Sequence, residues 1–361
     1  MKILAIDPGS TSTKIGIFRD GTLTKESIEH PRAEMERFPR VMDQLGYRMD
    51  AIRAYLRETS ADGVAWDAVV GRGGLIRPVP SGVYLVERAL IDDLEDGVSG
   101  EHAANLGGIL AYLLAAAQGV PAYVVDPPVI DEMWPVARLS GMAGIERRSM
   151  FHALNQKAVA RDVARELGRD YAELNLIVVH MGGGITAGAH SKGLVVDVNN
   201  GLNGDGPFSP ERTGGLPVVG VLELVEQGAF TTGELKGIVA RRGGVYSYLN
   251  TVDMREVAAR AQRGDAEASL VQEAMIYQIA KEIGGLAAAL SGAVDGIVLT
   301  GGLAFGAAVV EGLRGRVGFI APIFVRPGEF EIEALVDGAL RVLTGVEAAR
   351  CYAGGSDEHR G

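Results

Sequence analysis

The sequence predicts an α/β protein made of two duplicated domains, and two observations lead to this expectation. Segments with strand patterns alternate with segments of helical periodicity along the 361 residues, as in layered α/β folds. The pattern that opens the chain, a strand, a glycine- and hydroxyl-rich turn and a returning strand, recurs once at long spacing. We therefore expect two similar domains that face a cleft, one formed by residues 1–146 plus 333–361 and the other by residues 147–332.

The first copy of this pattern occupies the start of the chain. Residues 1–6 form an apolar strand candidate, the turn of residues 7–13 follows, and residues 14–18 alternate as a second strand. The dipeptide Asp20-Gly21 then predicts a tight hairpin, because both residue types accept a positive φ.

The second copy begins with an apolar strand predicted over residues 174–179. A glycine turn at residues 182–184 leads into a returning strand over residues 185–190, and a third strand is predicted over residues 194–198. Elsewhere the patterns predict helices over residues 38–60, 103–118, 149–167, 217–225, 266–290 and 333–344, and strands over residues 68–70, 121–125, 296–300 and 318–325.

Composition restricts the class of protein. The formal net charge of −11 argues against a general nucleic-acid partner, since binding to a phosphate backbone needs a basic face. Cys351 is the single cysteine, so neither an internal disulfide nor a cysteine metal site is expected. The apolar run before Asp7 is too short for a signal peptide, and we interpret residues 106–120 as a buried helix, not a membrane span. We expect a cytoplasmic protein with a frayed polar tail after Ala348.

The first turn has the composition of a phosphate-binding loop. Its glycine lets backbone N–H groups approach an anion, and its hydroxyls and one lysine add donors. It lacks the glycine-lysine-serine ending of a Walker A loop. Asp7, at the end of the strand, is a candidate Mg²⁺ ligand through water. The predicted nucleotide-binding residues of this turn are Gly9, Ser10, Thr11, Ser12 and Lys14.

Two further glycine turns complete a candidate nucleotide site. Gly182, Gly183 and Gly184 lie between two apolar strands, where glycine weakens a sheet unless close approach to a backbone is needed. Gly301 and Gly302 end a strand and offer a flat backbone surface for an adenine ring. Two phosphate hairpins and an adenosine turn together indicate ATP as a ligand.

These three turns resemble the phosphate and adenosine motifs of the superfamily of sugar kinases, heat-shock chaperones and actin. The fold that this resemblance implies is a pair of actin-like (ribonuclease H-like) α/β domains with a nucleotide cleft between them. Over nearly the whole chain, the sequence further resembles the butyrate kinases and, more loosely, the wider acetate kinase family. The segments that carry this resemblance, in chain order, are IDPGSTSTK, VGRGG, HAANLGG, VVDPP, MFHALNQK, VVHMGGGIT, DGPFSPERTGGLP, LTGGLA and PGEFEIEAL.

The resemblance assigns roles to individual residues. Arg212 matches a catalytic arginine, His152 a histidine that contacts the phosphoryl group, and Asp126 a carboxylate near the metal. Arg72 resembles a second active-site arginine, and His102 a histidine on the substrate side. The remaining candidates are the magnesium-linked Glu329 and Glu331, between which the sequence does not choose, and His180, for which a structural role is favoured.

The implied reaction is ATP-dependent phosphorylation of butyrate to butyryl phosphate, reversible toward ATP, with Mg²⁺ bound and a homodimer as the assembly. A carboxylate nucleophile is already ionised near neutral pH, at a pKa of roughly 4, so the chemistry needs little proton transfer. Its difficulty is that an anion approaches a polyanion. Arg212, His152, a metal ion and amide-rich turns would offset that charge.

Three alternatives stay open at this point. The acid could be isobutyrate, propionate or acetate, because one methylene changes discrimination by only about 1–3 kcal/mol. A sugar kinase would use Asp126 as its general base. A nucleotide-dependent regulator without catalysis could have the same fold, since a fold does not fix a function.

Overall fold

The computed structural model describes residues 1–353 and contains two mixed sheets. Each strand begins or ends close to a glycine, proline or polar turn of the sequence. The strands are β1 (Lys2–Pro8), β2 (Ser12–Arg19), β3 (Thr22–Glu29), β4 (Ala68–Arg72), β5 (Val83–Leu85), β6 (Ala122–Val125), β7 (Asn175–Met181), β8 (Ile185–Ser191), β9 (Leu194–Val198), β10 (Gly296–Gly301) and β11 (Ile323–Pro327).

Helices cover or flank the sheets, and four short turns of other helical type connect them. These turns are Val41–Gln44, Tyr171–Glu173 and Gly302–Phe305, all 3₁₀, and the π-helical Ile238–Arg242. The α-helices are α1 (Arg32–Met35), α2 (Leu45–Glu58), α3 (Arg88–Asp96), α4 (Asn105–Ala116), α5 (Pro135–Arg138), α6 (Ala153–Glu166), α7 (Val218–Glu226), α8 (Thr232–Gly237), α9 (Gly244–Leu249), α10 (Met254–Gln262), α11 (Ala266–Ala289), α12 (Ala307–Val317) and α13 (Glu331–Leu343).

The two sheets repeat one topology, which confirms the predicted duplicated α/β fold. The first has the order β3-β2-β1-β4-β6-β5 and the second β9-β8-β7-β10-β11. In each, three antiparallel strands are followed by two parallel ones, and β5 adds an antiparallel edge strand to the first. The parallel strands require crossover helices, which is why the helical patterns alternate with them in the sequence.

The tight turns of the two copies also correspond. Asp20 and Gly21 have φ of 48° and 91°, and Lys192 and Gly193 have φ of 50° and 86°. Positive φ at both central residues is the requirement of the two-residue hairpin turns that match strand twist. The Asp20-Gly21 hairpin was predicted from its residue types.

The chain forms two compact units, one of Met1–Ile130 with the described residues from Phe330 onward, and one of Asp131–Glu329. The sequence-based division placed the first boundary later, at residue 146. Residues 131–146 group with the second unit because the N–H of Trp134 donates to the carbonyl of Val196 at 2.8 Å and Glu132 accepts from the N–H of Val195 at 2.9 Å. The second boundary was predicted after residue 332 and lies after residue 329 in the structure.

Local structure departs from the sequence prediction at several elements. The helix predicted over residues 38–60 begins only at Leu45, after a 3₁₀ turn. The strand predicted over residues 318–325 begins only at Ile323. The sequence patterns also missed α3, α10 and β5.

The described part of the carboxy-terminal tail is docked, so the expectation of fraying after Ala348 is wrong there. Arg350 donates its N–H to the carbonyl of Val83 at 2.8 Å and accepts from Leu85 at 2.9 Å. Tyr352 is buried, and its hydroxyl donates to Asp93. The rest of that tail, residues 354–361, lies outside the described residues.

Among residues 1–353, none of the helices combines the length and the apolar character needed to cross a bilayer. The predicted buried helix within residues 106–120 is α4, and most of its side chains are buried.

Candidate active site

The first glycine turn joins β1 to β2 and presents its backbone in a closed loop. Gly9 donates its N–H to the carbonyl of Ser12 at 2.8 Å, just beyond the last paired residues of the two strands. Ser10 and Thr11 are exposed at its tip. The geometry therefore suits the predicted contact between this loop and an anion.

Arg48 lies fully buried beneath this loop, on α2, and the sequence interpretation missed it. Its guanidinium donates to the carbonyls of Gly9 at 2.8 Å and Ser12 at 2.9 Å, and to Oγ1 of Thr13 at 3.0 Å. The sequence did contain one indication of its burial, because Arg48 is a charged residue on the apolar face of a predicted helix. Because Arg48 occupies these carbonyls from one side, the loop is held in a single shape.

The charge of Arg48 is maintained despite its burial. Desolvation lowers the pKa of the guanidinium to about 10, which leaves it protonated at neutral pH. Within residues 1–353, no carboxylate forms an ion pair with it; the neutral Gln44, at the end of the 3₁₀ turn before α2, accepts from its Nε at 3.0 Å. A buried cation without a counter-ion raises the potential at the loop above it and favours an anion there.

Arg72 connects two buried carboxylates at one end of the first sheet. Its Nη1 lies 3.4 Å from Asp7 at the end of β1 and 3.4 Å from Glu331 at the start of α13. Lys14 lies 3.9 Å from Glu331. The structure thus brings together four of the predicted site residues, Asp7, Lys14, Arg72 and Glu331, within one unit.

Asp7 and Glu331 fit the donor set for Mg²⁺. Both are carboxylates, both are buried, and both lie against one guanidinium nitrogen. Mg²⁺ keeps several waters and is bound through one or two carboxylates plus phosphate oxygens, so two such side chains are enough for it. Glu329, the other candidate, lies in the second unit.

Asp126 and His102 are placed at the ends of elements in the first unit. Asp126 follows β6 with a φ of 39°, and its Oδ1 accepts from the N–H of Gly82 at 2.9 Å. Positive φ at a non-glycine residue is a strained conformation that clusters at functional sites. His102 precedes α4, is exposed, and accepts the N–H of Ala104 at its Nδ1 at 3.1 Å.

The second glycine turn lies at residues 182–184 between β7 and β8, and Arg212 crosses it. A Cβ placed on Gly184 would lie 2.0 Å from Nη1 of Arg212, so glycine is needed for the guanidinium to lie there. The backbone N–H of Arg212 donates to Oγ of Ser209 at 3.1 Å, and that hydroxyl donates to the carbonyl of Gly183 at 2.6 Å. The segment ERTGG is thereby fastened to the hairpin.

One donor of Arg212 is buried and has no partner among the described residues. Its Nη1 donates to the carbonyl of Gly201 at 2.6 Å, whereas its Nε is buried without a hydrogen-bond partner within residues 1–353. Burial lowers the pKa of the guanidinium, and the neighbouring Glu211 opposes this effect. An unsatisfied buried N–H beside a glycine hairpin is suited to an anionic oxygen of a ligand.

His152 caps the start of α6 and stacks on His180. The two imidazole centroids are 3.9 Å apart with an interplanar angle of 8°. His152 bonds through Nδ1 to Oγ1 of Thr186 at 2.9 Å, and His180 bonds through Nδ1 to Asn155 at 2.8 Å. The sequence interpretation treated His180 as structural; in the structure it is buried and in direct contact with the predicted catalytic histidine.

A cavity of about 960 Å³ adjoins the third glycine turn. Gly301 ends β10 with a φ of 86°, and a Cβ there would lie 2.4 Å from the carbonyl oxygen of Met181. Gly302, Phe305 and residues of α10 line the cavity. Its size and apolar lining are typical of ligand pockets.

The fold is that of acetate and propionate kinases. The structure resembles acetate kinase from Porphyromonas gingivalis (TM-score 0.76, 18% identity, covering 94% of this chain and 99% of that one). It resembles a propionate kinase from Francisella tularensis (TM-score 0.72, 17% identity, 92% and 98% covered). It also resembles acetate kinase from Entamoeba histolytica (TM-score 0.74, 15% identity, 94% and 99% covered).

Part of the sequence matches a family model. Residues 137–316 match the model of the Acetokinase family. The matched segment includes His152, the glycine hairpin, Arg212 and the glycine pair after β10.

We expect Arg48→Lys to lower the free energy of unfolding by on the order of 3 kcal/mol, because an ammonium cannot reproduce the fork of hydrogen bonds to the loop. Urea unfolding measures this. The matched control is Arg53→Lys, an exposed arginine on the same helix, for which a change within about 0.5 kcal/mol is expected. Equal effects of the two substitutions would contradict the role assigned to Arg48.

Proposed function

We propose that this chain is an ATP-dependent carboxylate kinase that phosphorylates a short-chain fatty acid, with butyrate as the preferred acid. The observation that supports it most is Arg212, held across a glycine hairpin with one buried donor unsatisfied. A transferring phosphoryl group supplies the anionic oxygens that such a donor needs. The match of residues 137–316 to the Acetokinase family model supports the same class of reaction.

The reaction is a direct in-line transfer in this proposal. A carboxylate oxygen of the acid attacks the γ-phosphorus of ATP, the bond from that phosphorus to the bridging oxygen breaks, and ADP leaves with the electron pair. Acyl phosphate and ADP are the products. No base is required, because the carboxylate is ionised at neutral pH. Arg212 and His152 stabilise the charge that develops on the phosphoryl oxygens.

The residues of each unit have separate tasks. In the first, the loop over Arg48 binds phosphate, and Asp7 and Glu331 would hold Mg²⁺, which screens the charge of the phosphates when bound. In the second, the hairpin binds phosphate and the cavity beside Gly302 receives the adenosine. ATP as the donor is consistent with a cytoplasmic enzyme.

The preference for butyrate rests on the sequence resemblance described above. The structural neighbours act on acetate and propionate by their names, so these acids and isobutyrate are the alternatives to test. The reaction class is the same for all of them, and the difference lies in the acyl pocket.

Hydroxylamine trapping tests the proposal directly. Purified protein is incubated with ATP, Mg²⁺ and acids from acetate to hexanoate, including isobutyrate, and acyl hydroxamate is measured. We expect the highest kcat/KM with butyrate. A maximum at another acid would overturn the preference and retain the reaction class. No hydroxamate with any acid, from folded protein that binds ATP, would overturn the reaction class.

In the same assay, Arg212→Ala is expected to lower kcat by on the order of 10³-fold, because one arginine that stabilises a phosphoryl-transfer transition state contributes about this much. The matched control is Arg241→Ala, an exposed arginine of the same unit, expected to retain wild-type turnover. Near-normal turnover of Arg212→Ala would refute the role of this arginine.

We also propose that the protein is a homodimer, and α7 offers a surface for it. Val218, Val219 and Leu222 are 70%, 67% and 55% exposed on this helix, which has no buried residue. A contiguous exposed apolar face is typical of a protein–protein contact.

Leu222→Glu tests this surface. We expect the wild type to be dimeric by light scattering at micromolar concentration and the variant to be shifted toward monomer, because a carboxylate buried in an apolar contact is costly. Leu270→Glu, the same change at an exposed leucine of α11, is the control and should remain dimeric. A monomeric wild type would count against the homodimer; an unchanged Leu222→Glu dimer would place the contact elsewhere.

A further inference from the structure

Three neighbouring strands of the second sheet carry a row of polar side chains beneath the start of α6. Thr300 on β10 pairs with His180 on β7, and His180 pairs with Thr186 on β8. Asn155 and Gln156 of α6 bond to members of this row. All five side chains are buried, so their hydrogen-bond directions are determined by one another and not by solvent.

The hydroxyl of Thr186 can donate its proton to only one of its neighbours. Oγ1 accepts from Nε2 of Gln156 at 3.0 Å and from the backbone N–H of His152 at 3.5 Å. A hydroxyl has two acceptor lone pairs and one proton. The proton is therefore donated to Nδ1 of His152, at 2.9 Å. If Nδ1 accepts, the ring proton of His152 lies on Nε2.

The orientation of the Gln156 amide supports this assignment. Its Nε2 also lies 3.0 Å from the carbonyl oxygen of Thr186, a group that only accepts. The NH₂ end of the amide therefore faces Thr186, and Oε1 faces Nε2 of His190 at 3.1 Å. Nε2 of His190 must donate to that oxygen, and Nδ1 of His190 accepts from the hydroxyl of Tyr171 at 2.8 Å.

His190 has one protonation state, and this determines the directions of the hydrogen bonds that follow from it. It is fully buried, and desolvation, followed by the nearby Lys157 and Arg161, lowers its pKa well below the ordinary value. At neutral pH it is therefore an uncharged ring with one proton, which the bonds place on Nε2.

We propose that Thr186, Gln156 and His190 are positioning residues that hold His152 as a neutral imidazole with its proton on Nε2. The inference deepens the proposed function and rests on it, because His152 is there the group that contacts the phosphoryl oxygens. Its Nε2–H is then a hydrogen-bond donor of fixed direction. This suits a reaction whose carboxylate nucleophile needs no proton transfer.

Hydrogen bonds also fix the orientation of His180, the imidazole that stacks on His152. Thr300 donates its hydroxyl proton to the carbonyl of Gly328 at 3.2 Å and accepts from Nδ2 of Asn155 at 3.2 Å. The NH₂ of Asn155 therefore also donates to Nδ1 of His180, at 2.8 Å. Two parallel imidazoles 3.9 Å apart avoid mutual repulsion only if they are not both cations.

The tautomer is measured directly in the wild-type protein. Protein labelled with ¹⁵N-histidine contains six histidines, and the resonances of His152 are assigned by their loss in His152→Gln. We expect at pH 7 a protonated Nε2 and an unprotonated Nδ1 for His152. A proton on Nδ1, alone or on both nitrogens, overturns the proposal. This readout does not depend on activity, so it stands apart from the hydroxamate assay.

Thr186→Val removes the hydroxyl at nearly constant volume. We expect a mixture of His152 tautomers in this variant. We expect kcat to fall by about 10-fold or more, as when another functional histidine loses the residue that orients its ring. The KM values for ATP and acid should stay within about twofold of the wild type. Thr186→Ser, which keeps the hydroxyl, should restore the tautomer and most of kcat.

The matched control is Thr300→Val, the same change two strands away, which should alter the resonances of His180 and leave the His152 tautomer intact. An unchanged His152 tautomer in Thr186→Val overturns the proposal whatever the turnover. Acyl phosphate formation by the wild type, together with wild-type kcat in Thr186→Val, overturns it while the proposed function stands. Failure of all proteins to form acyl phosphate concerns the proposed function alone.

Discussion

The contact between Arg212 and Gly184 is the interaction on which the proposed chemistry depends. The guanidinium lies where a side chain on residue 184 would be, and Ser209 fastens the following segment to the same hairpin. A glycine that would otherwise weaken a sheet thus lets a cation lie on the turn that we propose to bind phosphate. The Nε of Arg212 is buried without a partner in the described part of the chain, so it can donate to a ligand. Because Nε has also lost its hydrogen bond to water, this arrangement is unfavourable until a ligand binds.

The two duplicated units place a cation against their glycine turns in different ways. In the first unit Arg48 lies beneath the loop, bonds to its carbonyls and has no counter-ion among the described residues. In the second, Arg212 lies across the hairpin. Both arrangements offset the charge of an anion with groups that are fixed before it binds, and such preorganisation is the largest contribution to catalysis of this kind. His152 adds a donor of fixed direction without adding charge.

Local features were predictable from the sequence, and long-range ones were not. The glycine turns, the Asp20-Gly21 hairpin and the repeated strand pattern are set by neighbouring residues, so the duplicated fold followed from them. The roles of Arg48, Thr186 and His190 could not be predicted from neighbouring residues, because they come from partners 19 to 39 residues away. Asp7, Arg72 and Glu331 are also far apart in the sequence, so their grouping at one site could not be predicted from neighbouring residues.

The most direct test of the central claim is a double-mutant cycle between Gly184 and Arg212, measured as the rate of acyl phosphate formation. A Cβ at residue 184 displaces the flexible end of Arg212. We predict that Gly184→Ala lowers kcat nearly as much as Arg212→Ala, and that the double variant is no slower than Arg212→Ala alone. Wild-type turnover in Gly184→Ala, or losses that multiply in the double variant, would contradict the claim.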